Sequence, residues 1–105
     1  MDRYEKAAEE IAHRAADFLN REANRNILIT VTRAESSSDG HKVNIFVSVY
    51  PEEGEQNALI FLKRKRSELR EFLKKSTRIN HIPTLDFLID YGEKNRDHLD
   101  KLSEA

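Results

Sequence analysis

Between Val43 and Val49 every second residue is a β-branched aliphatic: Val43, Ile45, Val47 and Val49 alternate with Asn44, Phe46 and Ser48. A period of two puts the branched side chains on one side of an extended chain, so this stretch predicts a strand with one buried face. A strand needs a partner. Upstream, Ile27 to Arg33 is a second β-branched run in which Ile27, Ile29 and Val31 share a face while Thr30 and Thr32 point away. The tract Ser36-Ser37-Ser38-Asp39-Gly40 between them is turn chemistry, because Asp and Gly tolerate positive φ and serine hydroxyls bond the local backbone. The two runs predict an antiparallel hairpin.

On either side of the hairpin the period changes. From Asp2 to about residue 22, Tyr4, Ala8, Ile11, Ala15, Phe18 and Leu19 step by three or four, the spacing of one helical face, and Asp2 is placed to cap the start. Alanines 7, 8, 12, 15 and 16 let that helix lie flat on a sheet. After Pro51 and the acidic Glu52 and Glu53, Ala58, Leu59 and Leu62 and then Leu69, Phe72 and Leu73 keep helical spacing. The intervening turn, however, offers Lys65 and Arg66 where an apolar residue is due. Burying an unpaired cation costs several kcal/mol, so the pattern predicts two helices joined by a kink near Lys65 to Ser67, basic residues outward. Pro83 pushes Ile82 extended, and Leu85, Phe87 and Ile89 alternate with Asp86, Leu88 and Asp90 as a third strand. Leu99 and Leu102 mark a short terminal helical tail over residues 93–105. The prediction is one α+β domain over residues 1–105, its core about 3–91.

Charge is unevenly spread. The chain as a whole is −1, yet the segment from Lys63 to Arg78 is +6: Lys63, Arg64, Lys65, Arg66, Arg70, Lys74, Lys75 and Arg78 stand against Glu68 and Glu71. A solvated helix normally mixes signs at four-residue spacing, whereas cations gathered on one segment are the footprint of a polyanion binder. Such a set neutralises on the order of half a dozen phosphates, which implies binding that weakens steeply with salt. Tyr50 and Tyr91 are the few aromatics placed to be exposed, so recognition of folded RNA shape is expected over stacking on single-stranded bases. Thr30, Thr32, Arg33 and Asn44, on the other face of the sheet, either add polar contacts or form its solvated side.

Other chemistries find little footing. With no cysteine there is no disulfide or thiolate metal site, which fits a reducing compartment. No apolar run has the length of a signal peptide or a membrane span, so a cytoplasmic monomer that engages no membrane is expected. His13, His41, His81 and His98 fall on different elements, and no Ser-His-Asp or Cys-His pattern supports a nucleophile. Asp86 and Asp90 share a face of the third strand, a spacing sterically compatible with a metal ion but more ordinary for a solvent-facing strand. No enzyme activity, cofactor, metal or small-molecule substrate is expected.

The order helix, strand, strand, helix, helix, strand resembles the type II KH fold, a mixed three-stranded sheet covered on one face by helices. KH modules commonly hold nucleic acid with a GxxG turn between two helices; here Gly40, Gly54 and Gly92 all lie elsewhere. A narrower resemblance covers about residues 3 to 102. Ile29-Thr30-Val31-Thr32-Arg33, Ser37-Ser38-Asp39 leading to Val43-Asn44-Ile45-Phe46-Val47-Ser48-Val49, Ser67-Glu68-Leu69-Arg70, and Arg78-Ile79-Asn80-His81-Ile82-Pro83-Thr84-Leu85-Asp86-Phe87, with Asp90, Leu99 and Leu102, are together similar to the ribosome-binding factor A family. In that family the helix junction is of Ala-x-Gly type and falls here on Lys65-Arg66-Ser67, while Asn80 stands where a second arginine is usual. The resemblance implies a non-catalytic factor that binds immature small ribosomal subunits and assists late maturation and processing of their rRNA. The alternative is a KH-like protein-interaction adaptor that has lost RNA binding.

Overall fold

In a computed structural model of the chain, which describes residues 2–21 and 27–92, six elements follow one another. They are α1 (Arg3–Arg21), β1 (Leu28–Ser36), β2 (Lys42–Tyr50), α2 (Glu55–Arg64), α3 (Arg66–Ser76) and β3 (Thr84–Ile89). A 3-10 turn over Glu52–Gly54 leads into α2. The expected helical tail lies outside the described residues. The strands lie in the order β1-β2-β3, with β1 antiparallel and β3 parallel to β2, which makes the sheet mixed and the fold type II KH-like.

Each element follows from its local sequence. Asp2 caps α1 by accepting a hydrogen bond from the Glu5 N–H at 2.8 Å. On β2 the four branched residues at 43, 45, 47 and 49 are buried, as the alternation requires. Strand β1 runs through Ser36, three residues beyond the expected end. A register shift between Val31 and Arg33 rephases it, so that Ala34 opposes Ile45 and Ser36 opposes Val43, both on the core side. That bulge carries the strand into residues whose composition reads as turn. The turn itself is tied by Asp39, whose Oδ1 accepts from the His41 N–H at 3.0 Å and from the Ser37 hydroxyl at 2.7 Å. Gly40 follows at φ 76°, and an added Cβ would come within 2.4 Å of the Tyr4 ring, so both backbone sign and space call for glycine.

The helices cover one face of the sheet. Ala8, Ile11, Ala15, Phe18 and Leu19 of α1, Ala58 and Leu62 of α2, and Leu69 and Leu73 of α3 pack on Val43, Ile45, Val47, Val49, Leu85, Phe87 and Ile89. No polar or charged residue among those described is buried. Phe18 and Phe72 join α1 to α3 with ring centroids 5.6 Å apart. The other sheet face carries Thr30, Arg33, Asn44, Phe46, Ser48 and Leu88.

The helix pair bends where the apolar stripe is interrupted. Lys65 ends α2 and begins α3, at φ −88° and ψ −1°, and its N–H is shared between the carbonyls of Phe61 (3.1 Å) and Leu62 (3.0 Å). This is the expected kink, formed by Lys65 with no small residue at that position. Its far end is closed by hydroxyls: Ser76 Oγ donates to the Phe72 carbonyl at 2.7 Å and Thr77 Oγ1 to that of Leu73 at 2.8 Å.

Candidate nucleic-acid interface

Helical geometry sorts the eight cations into two groups. Leu69 and Leu73 fix the buried side of α3. Residues four apart share a face, so Arg66, Arg70 and Lys74 form one row beside that buried side. Two contacts show where the row looks: Arg66 Nη1 lies 3.4 Å from Asp86 Oδ1, and Arg70 Nη1 donates to the Pro83 carbonyl at 3.0 Å. The row therefore runs along β3, the edge strand. Lys63, near the end of α2, joins it, with Nζ 2.6 Å from Asp86 Oδ1 and 3.5 Å from the Phe87 carbonyl. Cations against the carbonyls of an edge strand also discourage further strand pairing there.

Beyond Lys74 the row continues into the loop between α3 and β3. A hollow of about 660 Å³ is lined by Arg70, Lys74, Arg78, Asn80 and His81 among others. A second, of about 620 Å³, shares Arg78, Asn80 and His81 and adds Arg3 and His41. Thus Arg3, His41 and His81, which sequence reasoning assigned to separate elements or passed over, border one surface with Arg78. Only their place in the fold reveals this.

Lys75 and Arg64 leave that row. Lys75 is one residue past Lys74 and so about 100° around α3, on the side that carries Glu68 and Glu71. Both Lys75 and Arg64 are exposed, as is Ser67 at the start of α3. Lys65 corrects the expectation that every basic residue of the bend points outward: its side chain is only 25% exposed, runs along the Phe61 ring (5.7 Å) and reaches Glu68 at 3.2 Å.

Ion pairing is uneven across the set. Lys65–Glu68 and Lys74–Glu71 (3.3 Å) are surface pairs three residues apart on one helix, worth about 0–1 kcal/mol and easily traded for a phosphate. Arg64, Lys75 and Arg78 make no ion pair with any described residue. Lys63 and Arg66 differ, because both converge on the same oxygen of Asp86, whose side chain is only 22% exposed. Sequence spacing gave no sign of this pair, since its partners stand 23 and 20 residues apart.

Asp86 titrates accordingly. Burial pushes its carboxyl up, but the Lys63 hydrogen bond, the Phe87 N–H and the charges of Lys63 and Arg66 outweigh burial and hold it below the usual carboxylate value. A group depressed in the folded state stabilises the fold above its unfolded pKa of about 4, and that contribution is lost as pH falls through the folded value. Urea denaturation of Asp86→Asn should therefore show lower stability than the parent at pH 7. The difference should shrink as pH falls below about 4. A gap that stays constant across that range would contradict the assignment.

Of the remaining candidates, Thr32, Arg33, His41 and Asp90 make contacts within the protein, whereas the buried Asn44 Oδ1 has no hydrogen-bond partner among the described residues. Arg33 Cζ sits over the Phe46 ring, 3.8 Å from its centroid, and the guanidinium pairs with Glu35 (3.5 Å) and Asp90 (3.8 Å), while Thr32 Oγ1 donates to Asp90 Oδ2 at 2.6 Å. Asp86 and Asp90 thus each face cations of this chain. Among the described residues no group of three or more His, Cys, Asp or Glu side chains is arranged to hold a metal ion. His41 Nδ1 sits 3.3 Å from Asp39 in the turn, as a surface imidazole. Among the described residues no helix is long and apolar enough to cross a membrane.

Comparison with known proteins decides the family. The model of ribosome-binding factor A matches residues 3–103. The chain belongs to the ribosome-binding factor A family. It is 33% identical over 103 residues to ribosome-binding factor A of Natranaerobius thermophilus, covering 95% of this chain and 79% of that one. With the protein of Brevibacillus brevis it shares 38% over 80 residues, 71% of this chain and 66% of the relative. The crystal structure of ribosome-binding factor A from Thermus thermophilus superposes with a TM-score of 0.71 at 25% identity, over 80% of this chain and 91% of that one. A homology model of the Thermus thermophilus factor, fitted into the cryo-EM map of a 30S complex, gives 0.66 at 25% identity over 85% and 93%. Membership makes this a ribosome-binding factor.

Proposed function

We propose that this ribosome-binding factor is a non-catalytic, monomeric, cytoplasmic RNA-binding protein. It engages immature small ribosomal subunits and assists late maturation and processing of their rRNA. The carrying observation is the row Lys63, Arg66, Arg70, Lys74 and Arg78 along one edge of a domain whose other residues are net acidic. Arg64, Lys65, Ser67 and Lys75 complete the candidate surface outside that row, the first three at the bend and Lys75 near the far end of α3, with a smaller share of the binding. Rows of this kind meet successive phosphates of a folded RNA, and the relative fitted into a 30S complex supports the small subunit as the source of that RNA. The protein needs no cofactor for this, since charge and shape suffice.

Co-sedimentation from lysate at low salt tests the reading. The protein should travel with free small subunits and be absent from translating ribosomes, and its removal should leave precursor small-subunit rRNA unprocessed. Absence from small-subunit fractions at low salt would favour the adaptor alternative.

A further inference from the structure

The anion site at the bend is already filled by the protein's own carboxylate. Three donors meet on Asp86 Oδ1: Lys63 Nζ at 2.6 Å, Arg66 Nη1 at 3.4 Å and the Phe87 N–H at 2.9 Å. Two cations and a backbone amide converging on one oxygen are what a phosphate oxygen is offered in a binding site. Arg66 is further held in place by its Nε, which donates to the Lys63 carbonyl at 3.1 Å and so locks the two cations together at the end of α2. Yet the Lys63 and Arg66 side chains remain 40% and 44% exposed, so their other donors face solvent where RNA would approach.

Resting on the RNA-binding reading above, we propose that Asp86 is a resident phosphate mimic that sets the selectivity of the interface. The carboxylate neutralises part of the Lys63–Arg66 pair and opposes any incoming phosphate. An RNA that touches only the bend gains little there. An RNA whose shape also satisfies Arg70, Lys74 and Arg78 has contacts enough to overcome the aspartate. Asp86 thereby suppresses binding to arbitrary RNA more than binding to the matched subunit, a case of specificity built from a repulsive element.

Equilibrium binding of the full chain measured between about 50 and 300 mM KCl tests this, with a random-sequence 20-base-pair RNA duplex and purified immature small subunits as probes. Asp86→Asn and Asp86→Ser both remove the charge, and thermal melts establish that each is folded at the assay temperature. Each should tighten duplex binding about tenfold and steepen its log–log salt slope by about one to two. The gain on small subunits should be smaller. Asp86→Glu should bind like the parent, and in a Lys63→Gln/Arg66→Gln background the neutral variants should gain nothing. An unchanged or weaker duplex affinity in both neutral variants, with the parent still binding in a salt-dependent way, overturns the role of Asp86 alone. A parent that binds neither probe at low salt overturns the RNA reading, and this inference with it.

Discussion

Replacing Arg66, Arg70, Lys74 and Arg78 together by glutamine should lower affinity for small-subunit RNA by about 10³-fold or somewhat more at 0.1 M salt. It should also flatten the log–log salt slope by about three. The size follows from counterion release, because each phosphate contact contributes a slope of about 0.7 to 0.9 and hence close to a decade of affinity at that ionic strength. Glutamine keeps hydrogen-bonding capacity for the Pro83 carbonyl that Arg70 meets at 3.0 Å, so the fold should survive. The matched control is Arg64, Lys65 and Lys75 to glutamine, which removes nearly as much charge from the other side of the helix pair. Its effect should be at least tenfold smaller. Equal losses in the two sets would mean that RNA responds to net charge and not to the row.

The second large effect concerns stability. Phe87 is among the largest side chains fully buried, at 1% exposure on the parallel edge strand, opposite Ile45. Its truncation to alanine removes the apolar burial and leaves a cavity, a change worth about 3–5 kcal/mol. In a domain of this size the whole margin is about 5–10 kcal/mol, so about half or more of it goes. Thermal unfolding should shift down by some 15–30 °C, at about 4–8 °C per kcal/mol. Because β3 also carries Asp86, RNA affinity should fall wherever the variant is partly unfolded, and recover on cooling. A melting temperature within about 5 °C of the parent would show that Phe87 is not a core element.

These expectations separate what the sequence shows from what only the fold supplies. Helix α1 with its Asp2 cap, the hairpin and the break at Lys65 were all readable, because each rests on local periodicity or on the cost of burying charge. The bulge that carries β1 to Ser36 was not readable, since it reflects pairing with β2 and overrides the turn-like composition of its last residues. Among the cations, the concentration of charge on one segment was readable and its partition between faces was hidden. That Lys75 turns away from the row follows from helical phase only once Leu69 and Leu73 are known to be buried. The Asp86 clamp and the meeting of Arg3, His41 and His81 with Arg78 depend on contacts across the whole chain, which no sequence window contains.

The most direct test is the salt dependence of the parent protein's affinity for immature small subunits, read between about 50 and 200 mM KCl. A row of five cations that holds phosphates predicts a fall of about 10²–10³-fold over that range. An affinity that stays within about threefold would contradict it and point to contacts with ribosomal protein instead.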